Sequence, residues 1–320
     1  MGIRATVVGS FPKVTESGQD NLPGEIDRWQ RQLVKDEALE EELHQVTRRV
    51  IREQEQAGLD LITEGQIRWE DLAHPIVRSV RGITRGSLRR FFDNNVYYRR
   101  LELANGVQWL KSSVVEEFRF ASQTAKRPVK VSLPGPLTLV ISTQPQGNQS
   151  RESLLKLFGE LLRKEVETLA AAGAKEIQLE EPALGPGESL LKPAIETIQS
   201  IFHGIQARRW VTCYFHDVSA LLPSLTQLDV EVLGLDLVTA PKLLEAFKKQ
   251  VWKKEVALGL IDARNTKLEQ VPEVQGQIKE WTKVVAPERL WLSPNCGLEF
   301  LPHESALKKL RLLKEAASTF

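Results

Sequence analysis

Eight short apolar segments, each followed by helix-like sequence, constrain this chain more than any other feature. They are Arg4 to Val8, Leu59 to Thr63, Val129 to Leu133, Glu176 to Leu179, Trp210 to Tyr214, Val232 to Leu237, Val256 to Ile261 and Leu290 to Leu292. Strands that alternate with helices predict a parallel α/β architecture, and eight such units predict a (β/α)8 TIM barrel. A doubly wound open sheet satisfies the same periodicity. With no internal repeat, low-complexity segment or linker in view, the expectation is a single domain over residues 1–320.

The helices read more clearly. Glu25 to Ala57 is charged and amphipathic and predicts one long helix with Gly58 as its stop. Arg151 to Ala172 carries Leu154, Leu155, Phe158, Leu161, Leu162 and Leu169 at helical spacing, with Gly173 behind it. His303 to Ala317 alternates apolar and basic residues and is expected to close the barrel. Asp71 to about Arg127 forms a long excursion between strands 2 and 3. It holds Arg89-Arg90-Phe91-Phe92 and Tyr97-Tyr98-Arg99-Arg100. Aromatic residues interleaved with basic ones bind single-stranded nucleic acid in some proteins. No nucleic-acid-binding motif accompanies the patch here. The preferred reading is a hairpin over the barrel mouth, its arginines solvated or paired with acidic neighbours.

Composition excludes several classes. The formal net charge of +1 gives no ground for nucleic acid or an anionic membrane surface as partner. No apolar run is long enough to span a bilayer, and the first residues lack a secretory pattern. Two cysteines make no disulfide framework, so a reduced, cytoplasmic setting is expected.

In a barrel the active site lies at the C-terminal ends of the strands. Ser10, Glu64, Gln66, Glu180, Glu181, Cys213, His216, Asp236, Asp262, Arg264 and Cys296 all fall at or just beyond such ends. Cys213 and Cys296 each follow a short strand, in Trp210-Val211-Thr212-Cys213 and Leu292-Ser293-Pro294-Asn295-Cys296. They are two inert buried thiols or parts of one site. Thiols, an imidazole and carboxylates are the donors zinc accepts, although no CxxC-type spacing marks them here.

Five phrases carry a resemblance: VVGSFP (Val7 to Pro12), DLITEGQIRWED (Asp60 to Asp71), LPGPLT (Leu133 to Thr138), IQLEEPAL (Ile177 to Leu184) and SPNCGLEFLP (Ser293 to Pro302). In this order, over nearly the whole chain, they resemble the cobalamin-independent methionine synthase family. The resemblance implies a (β/α)8 catalytic barrel with a zinc ion that binds homocysteine as thiolate. Long members of that family carry two related barrels; the length here fits one, as in the short "core" methionine synthases.

Matched position by position, the resemblance makes Cys296 and Cys213 zinc ligands and puts Asp236 where the family has a zinc-binding glutamate. Val211 stands where the family has a histidine ligand, and His216 is the nearest substitute. Gly9 and Ser10 match the turn that holds the amino-acid carboxylate. Glu180 would pair with the substrate ammonium, and Gln66 replaces a family glutamate. At the strand end Asp262-Ala263-Arg264-Asn265, Arg264 replaces a histidine associated with protonating the leaving folate.

An arginine is a poor proton donor, and a tertiary amine leaves slowly unless protonated. A corrinoid needs no proton to leave. The expectation is therefore homocysteine methylation to methionine, with methylcobalamin or a methylated corrinoid protein as donor and Arg89 to Arg100 as its docking surface. Methyltetrahydropteroyltriglutamate as donor is the alternative, and a non-catalytic binding barrel is a further one.

Overall fold

The computed structural model describes residues 2–18, 21–91, 97–145, 147 and 149–320. In chain order come β1 Arg4–Ala5, α1 Leu22–Gln30, α2 Asp36–Gln56, α3 His74–Ser79, β2 Val80–Arg90, β3 Tyr97–Trp109 and α4 Val115–Thr124. Then follow β4 Lys130–Pro134, α5 Pro136–Ile141, β5 Thr143–Gln144, α6 Arg151–Ala171, β6 Glu176–Glu180, α7 Leu191–Phe202 and β7 Arg208–Cys213. The last are α8 Leu222–Leu225, β8 Val232–Asp236, α9 Leu243–Phe247, β9 Glu255–Ile261, α10 Val271–Thr282, β10 Leu290–Pro294 and α11 His303–Ala317. The chain divides into two compact units. Met1–Arg68, Phe120–Val129 and Ala257–Phe320 make the first, and Trp69–Arg119 and Lys130–Val256 the second. β9 carries the chain from the second back to the first.

In the first unit β1 pairs in parallel with β10, Arg4 opposite Trp291 and Ala5 opposite Leu292. Parallel bridges join Thr6 to Leu61 and Ile62 to Val129. The strand expected over Leu59 to Thr63 is reduced to these bridge residues. Gln54 explains part of this: its side-chain amide accepts the Thr63 N–H at 3.0 Å and donates to the Thr63 carbonyl at 2.8 Å, taking the place of a ladder partner. The single helix expected over Glu25 to Ala57 is two. The break spans residues 31–35, with Gln32 at φ 58°. α1 buries only Leu22, and α2 buries nothing before Leu43. A charged run without core contact leaves continuity to backbone propensity alone, which is a weak constraint. α11 occupies the expected residues.

The second unit is built on β4, β6, β7 and β8, parallel and in that order. All five residues of β4 and of β8 are buried, which is why these strands read as continuous runs rather than alternating ones. α6 buries every apolar residue expected of it. The excursion contains α3 and the antiparallel pair β2–β3, Val80 opposite Trp109 and Arg90 opposite Tyr97. Arg85 is paired with Glu70, and Arg100 Nη1 donates to Gln144 Oε1 at 2.7 Å, while the Arg99 backbone N–H donates to Asp71 at 2.9 Å. Residues 92–96 of the segment proposed for docking lie outside the described residues. Among the described residues, no helix is long and apolar enough to cross a membrane.

The parallel α/β architecture is thus as the strand–helix alternation predicts.

Candidate active site

The first unit assembles the turn after β1. Thr63 Oγ1 donates to the Gly9 carbonyl at 2.6 Å, and the Phe11 N–H donates to the Gly65 carbonyl at 2.9 Å. The Leu298 N–H reaches the Ser10 carbonyl at 3.0 Å. Gly9 and Ser10 are therefore fixed between the Thr63–Gly65 segment and the Gly297–Leu298 segment. Gly297 leaves room for the serine hydroxyl: a Cβ there would stand 1.9 Å from Ser10 Oγ and force it to turn away. Cys296, just before Gly297, is fully buried. Asn295 ties this loop to the end of β9: its N–H donates to the Ile261 carbonyl and its Oδ1 accepts the Ala263 N–H, both at 2.9 Å.

Glu64 and Gln66 are both buried. The Gln66 N–H donates to Glu64 Oε1 at 3.1 Å, across a turn in which Gly65 and Gln66 both have positive φ, 81° and 52°. A non-glycine residue held in this region is strained, and such strain concentrates at functional positions. Asp262 and Arg264 hold each other. Asp262 Oδ1 accepts the Arg264 N–H at 2.9 Å, with the guanidinium Nε 3.6 Å away, and Asn265 donates to Oδ2. Arg264 is thus placed as an anchored cation.

The second unit gathers its candidates around the turn after β7. Cys213 is 1% exposed. Burial, and then the neighbouring Glu181 carboxylate, push its thiol above the ordinary range, so it holds a thiolate only beside a compensating cation. Phe215 follows at φ 72°, a costly conformation for a bulky residue. Its N–H is captured by Asp236 Oδ2 at 3.0 Å, while the Thr239 N–H and Oγ1 donate to the Asp236 carboxylate at 2.9 and 2.7 Å. His216 packs against Gly185, where a Cβ would stand 2.8 Å from the imidazole Cδ2. Burial lowers the His216 pKa and favours the neutral ring.

Glu180 and Glu181, side by side, do different work. Glu180 accepts from Ser132 Oγ at 2.8 Å and from the Tyr214 hydroxyl at 2.7 Å. Glu181 is fully buried and caps α5: Oε2 accepts the Leu137 N–H at 3.0 Å, and Oε1 accepts the Thr138 N–H at 2.6 Å together with the Thr138 hydroxyl. Burial pushes its carboxyl up to about 7 against the pull of these donors. Ser132 and Tyr214 were not singled out from sequence. The available signal was period-2 alternation, which puts Ser132 on the same face as the last residue of β4, opposite Glu180. The cap made by Glu181 had a signal too, in the turn Pro134-Gly135-Pro136.

Zinc is tested by the donors. The two buried thiols are of the type zinc prefers, and a neutral imidazole at 216 is competent to ligate. Asp236 is committed to three hydrogen bonds. Among the described residues, no three His, Cys, Asp or Glu side chains stand together as a metal-holding group. The fit therefore rests on the thiols.

A parallel α/β chain with buried thiols and carboxylates at its strand ends defines a protein of the strand-end-site class. Residues 3–319 match the model of the cobalamin-independent synthase catalytic domain, and the chain belongs to that family. Catalytic domains of the family are zinc-dependent. Among its relatives is a methionine synthase of Sulfurisphaera tokodaii, 28% identical over 310 residues, which cover 95% of this chain and 88% of that one. Another is a methionine synthase of Sulfolobus acidocaldarius, 27% identical over 314 residues with the same shares. The fold is also that of a B12-independent methionine synthase from Shewanella sp. W3-18-1, solved in complex with selenomethionine. Its TM-score is 0.84 at 22% identity, over 100% of this chain and 98% of that one.

Membership of a cobalamin-independent family corrects the expectation of a methylcobalamin or methylcorrinoid donor, which now has no support. The reasoning from Arg264 failed for a physical reason. The residue at one strand end says where a proton does not come from; it does not say which donor is bound.

Proposed function

We propose that this protein transfers a methyl group from methyltetrahydropteroylglutamate to the thiol of homocysteine, forming methionine. The observation that carries this is the match of residues 3–319 to the cobalamin-independent synthase catalytic domain, with Cys213, Cys296 and Glu180 all buried. We take residues 1–320 to act as one (β/α)8 barrel domain, in the cytoplasm, where both cysteines stay free.

Each side chain has a part in this reading. Cys213 and Cys296 would hold zinc, with His216 and Asp236 as further ligands. Zinc when bound supplies a stabilised homocysteine thiolate at neutral pH. Gly9 and Ser10 receive the amino-acid carboxylate. Glu180 accepts the ammonium, its carboxylate already oriented by Ser132 and Tyr214. Gln66 adds a neutral acceptor. A sulfur–carbon bond forms as the donor's carbon–nitrogen bond breaks, and the departing nitrogen takes one proton, which balances the proton that the homocysteine thiol gives up. Asp262 and Arg264 are assigned to the donor's side, where the ion pair fixes a cation suited to the anionic glutamate tail of the donor.

The test is turnover of the zinc-loaded protein with homocysteine and each donor in turn. Methionine forms with methyltetrahydropteroylglutamate; faster turnover with methylcobalamin overturns the donor. A non-catalytic binding barrel is favoured by one observation, the missing three-residue metal group among the described residues. No methionine from either donor would leave that reading standing.

The amino-acid subsite has its own test. Glu180→Gln weakens methionine binding by about 1–3 kcal/mol, the cost of a lost charge-assisted hydrogen bond. Calorimetric titration reads it, and unchanged affinity removes Glu180 from the ammonium site.

A further inference from the structure

A line of buried polar side chains runs along β4 and β6 and ends at Glu180. Lys130, at the start of β4, is 1% exposed. Its Nζ donates to Gln178 Oε1 at 2.7 Å and lies 4.6 Å from the centre of the Trp210 ring. Gln178 Nε2 donates to Ser132 Oγ at 2.7 Å. Ser132 Oγ donates in turn to Glu180 Oε1 at 2.8 Å. The register explains the line. Ser132 stands opposite Gln178 and Lys130 opposite Glu176, and residues two apart share a face of the sheet.

The direction of the line follows from its first member. A lysine ammonium donates and never accepts. Gln178 must therefore turn its oxygen to Lys130 and its NH2 to Ser132. Ser132, already an acceptor there, has its one hydrogen left for Glu180. Every bond points toward the carboxylate. A neutral amine has a lone pair, so Gln178 is then free to turn over and draw the Ser132 hydrogen to itself.

We propose that Lys130 is a positioning residue for Glu180, its ammonium fixing, through Gln178 and Ser132, how that carboxylate is held for the substrate ammonium. The inference rests on the assignment of Glu180 to the amino-acid subsite and extends it to a residue at the far end of the neighbouring strand. Lysines are rarely buried without a strong reason. Burial lowers this one to about 7, with Glu180 and Glu176 pulling the other way. Both carboxylates are on β6. Beyond Glu176 stand Arg208 of β7, 3.6 Å from it, and Glu255 of β9, 2.8 Å from Arg208.

The experiment compares the full-length protein with Lys130→Met, Ser132→Ala and the double variant. Methionine affinity is read by calorimetry, and the Glu180 carboxylate by infrared spectroscopy of protein labelled with 13C-glutamate. Its band is assigned by its loss in Glu180→Gln. Each single variant weakens methionine binding about 5- to 30-fold. The double variant is no weaker than the worse single, because both cut one line. The Glu180 band shifts in both singles. Losses that add, or a band unmoved in Lys130→Met, overturn the proposal. Gln178→Leu decides the matter if Lys130→Met does not fold: it cuts the line between Lys130 and Ser132 without touching the Ser132–Glu180 bond, so a shifted band supports the proposal and an unmoved one overturns it. Methionine binding by none of the proteins, wild type included, overturns the assignment of Glu180 instead, and the band still reports whether Lys130 governs its carboxylate.

Discussion

Cys213→Ser and Cys296→Ser are each expected to lose most of the protein's zinc, and methionine formation with it, while the fold is retained. Serine is nearly isosteric, so neither change opens a large cavity in these buried positions. Its hydroxyl stays protonated at neutral pH and is a far poorer zinc donor than a thiolate. Changes to outer groups alone cost about 10–100-fold in metal affinity, and loss of a ligand costs more. The surroundings of Cys213 sharpen the expectation. A thiol held protonated by burial and by Glu181 becomes a thiolate only when a cation shares its pocket. Zinc content by mass spectrometry, with melting curves as the folding control, reads the result. Full zinc retention in both variants would end the shared-metal reading. His216→Ala belongs in the same series. Asp236 does not, because its carboxylate also holds Phe215 and Thr239 in place, and metal loss would be confounded with loosening of the turn.

The second large effect concerns stability. Glu181→Ala is expected to cost about 3–5 kcal/mol, since it strands the backbone N–H groups of Leu137 and Thr138 and the Thr138 hydroxyl, each a buried donor worth about 1–3 kcal/mol when unpaired. The space is committed as well: a Cβ on Gly135 would stand 2.2 Å from Glu181 Oε2. Glu181→Gln keeps an acceptor oxygen and is expected to lose about half as much. Urea unfolding measures both, and a loss below about 1 kcal/mol in Glu181→Ala would show that water replaces the cap.

Glu180 and Glu181 also show how far a sequence alone reaches. Their position beyond a strand was legible, because an apolar run followed by Glu-Glu-Pro marks a strand end whatever the fold. Their division of labour was not. It depends on which way each side chain points, and a strand reverses that at every residue. Asp236 is similar. Its place at the end of β8 was legible, but its grip on Phe215 comes with the positive φ at 215, which no local signal announces in Cys213-Tyr214-Phe215-His216. The strand–helix rhythm survived translation into structure almost everywhere. It failed at Leu59 to Thr63, where a glutamine from α2 occupies the ladder position, and at residues 31–35, where neither glycine nor proline marks the break. In the excursion, Arg85 and Arg100 of the β2–β3 pair have a carboxylate and an amide partner respectively. That agrees with the reading in which they are paired with neighbours.

The pairing of β1 with β10 bears on how the protein is made. Arg4 donates to the carbonyl of Glu288, 284 positions further on, and its guanidinium stacks over the Trp291 ring at 3.9 Å. At ribosomal speeds of about 5–20 residues per second, the opening strand waits roughly 15–60 s for its neighbour to be synthesised. The second unit draws all its residues from the interval between, so it is complete and able to fold first. Leu61 to Gly65, which line one side of the segment Ile3 to Phe11, are made early, but throughout that wait the side that pairs with β10 has no partner. That segment is the stretch of this chain where a cell has most reason to post a chaperone.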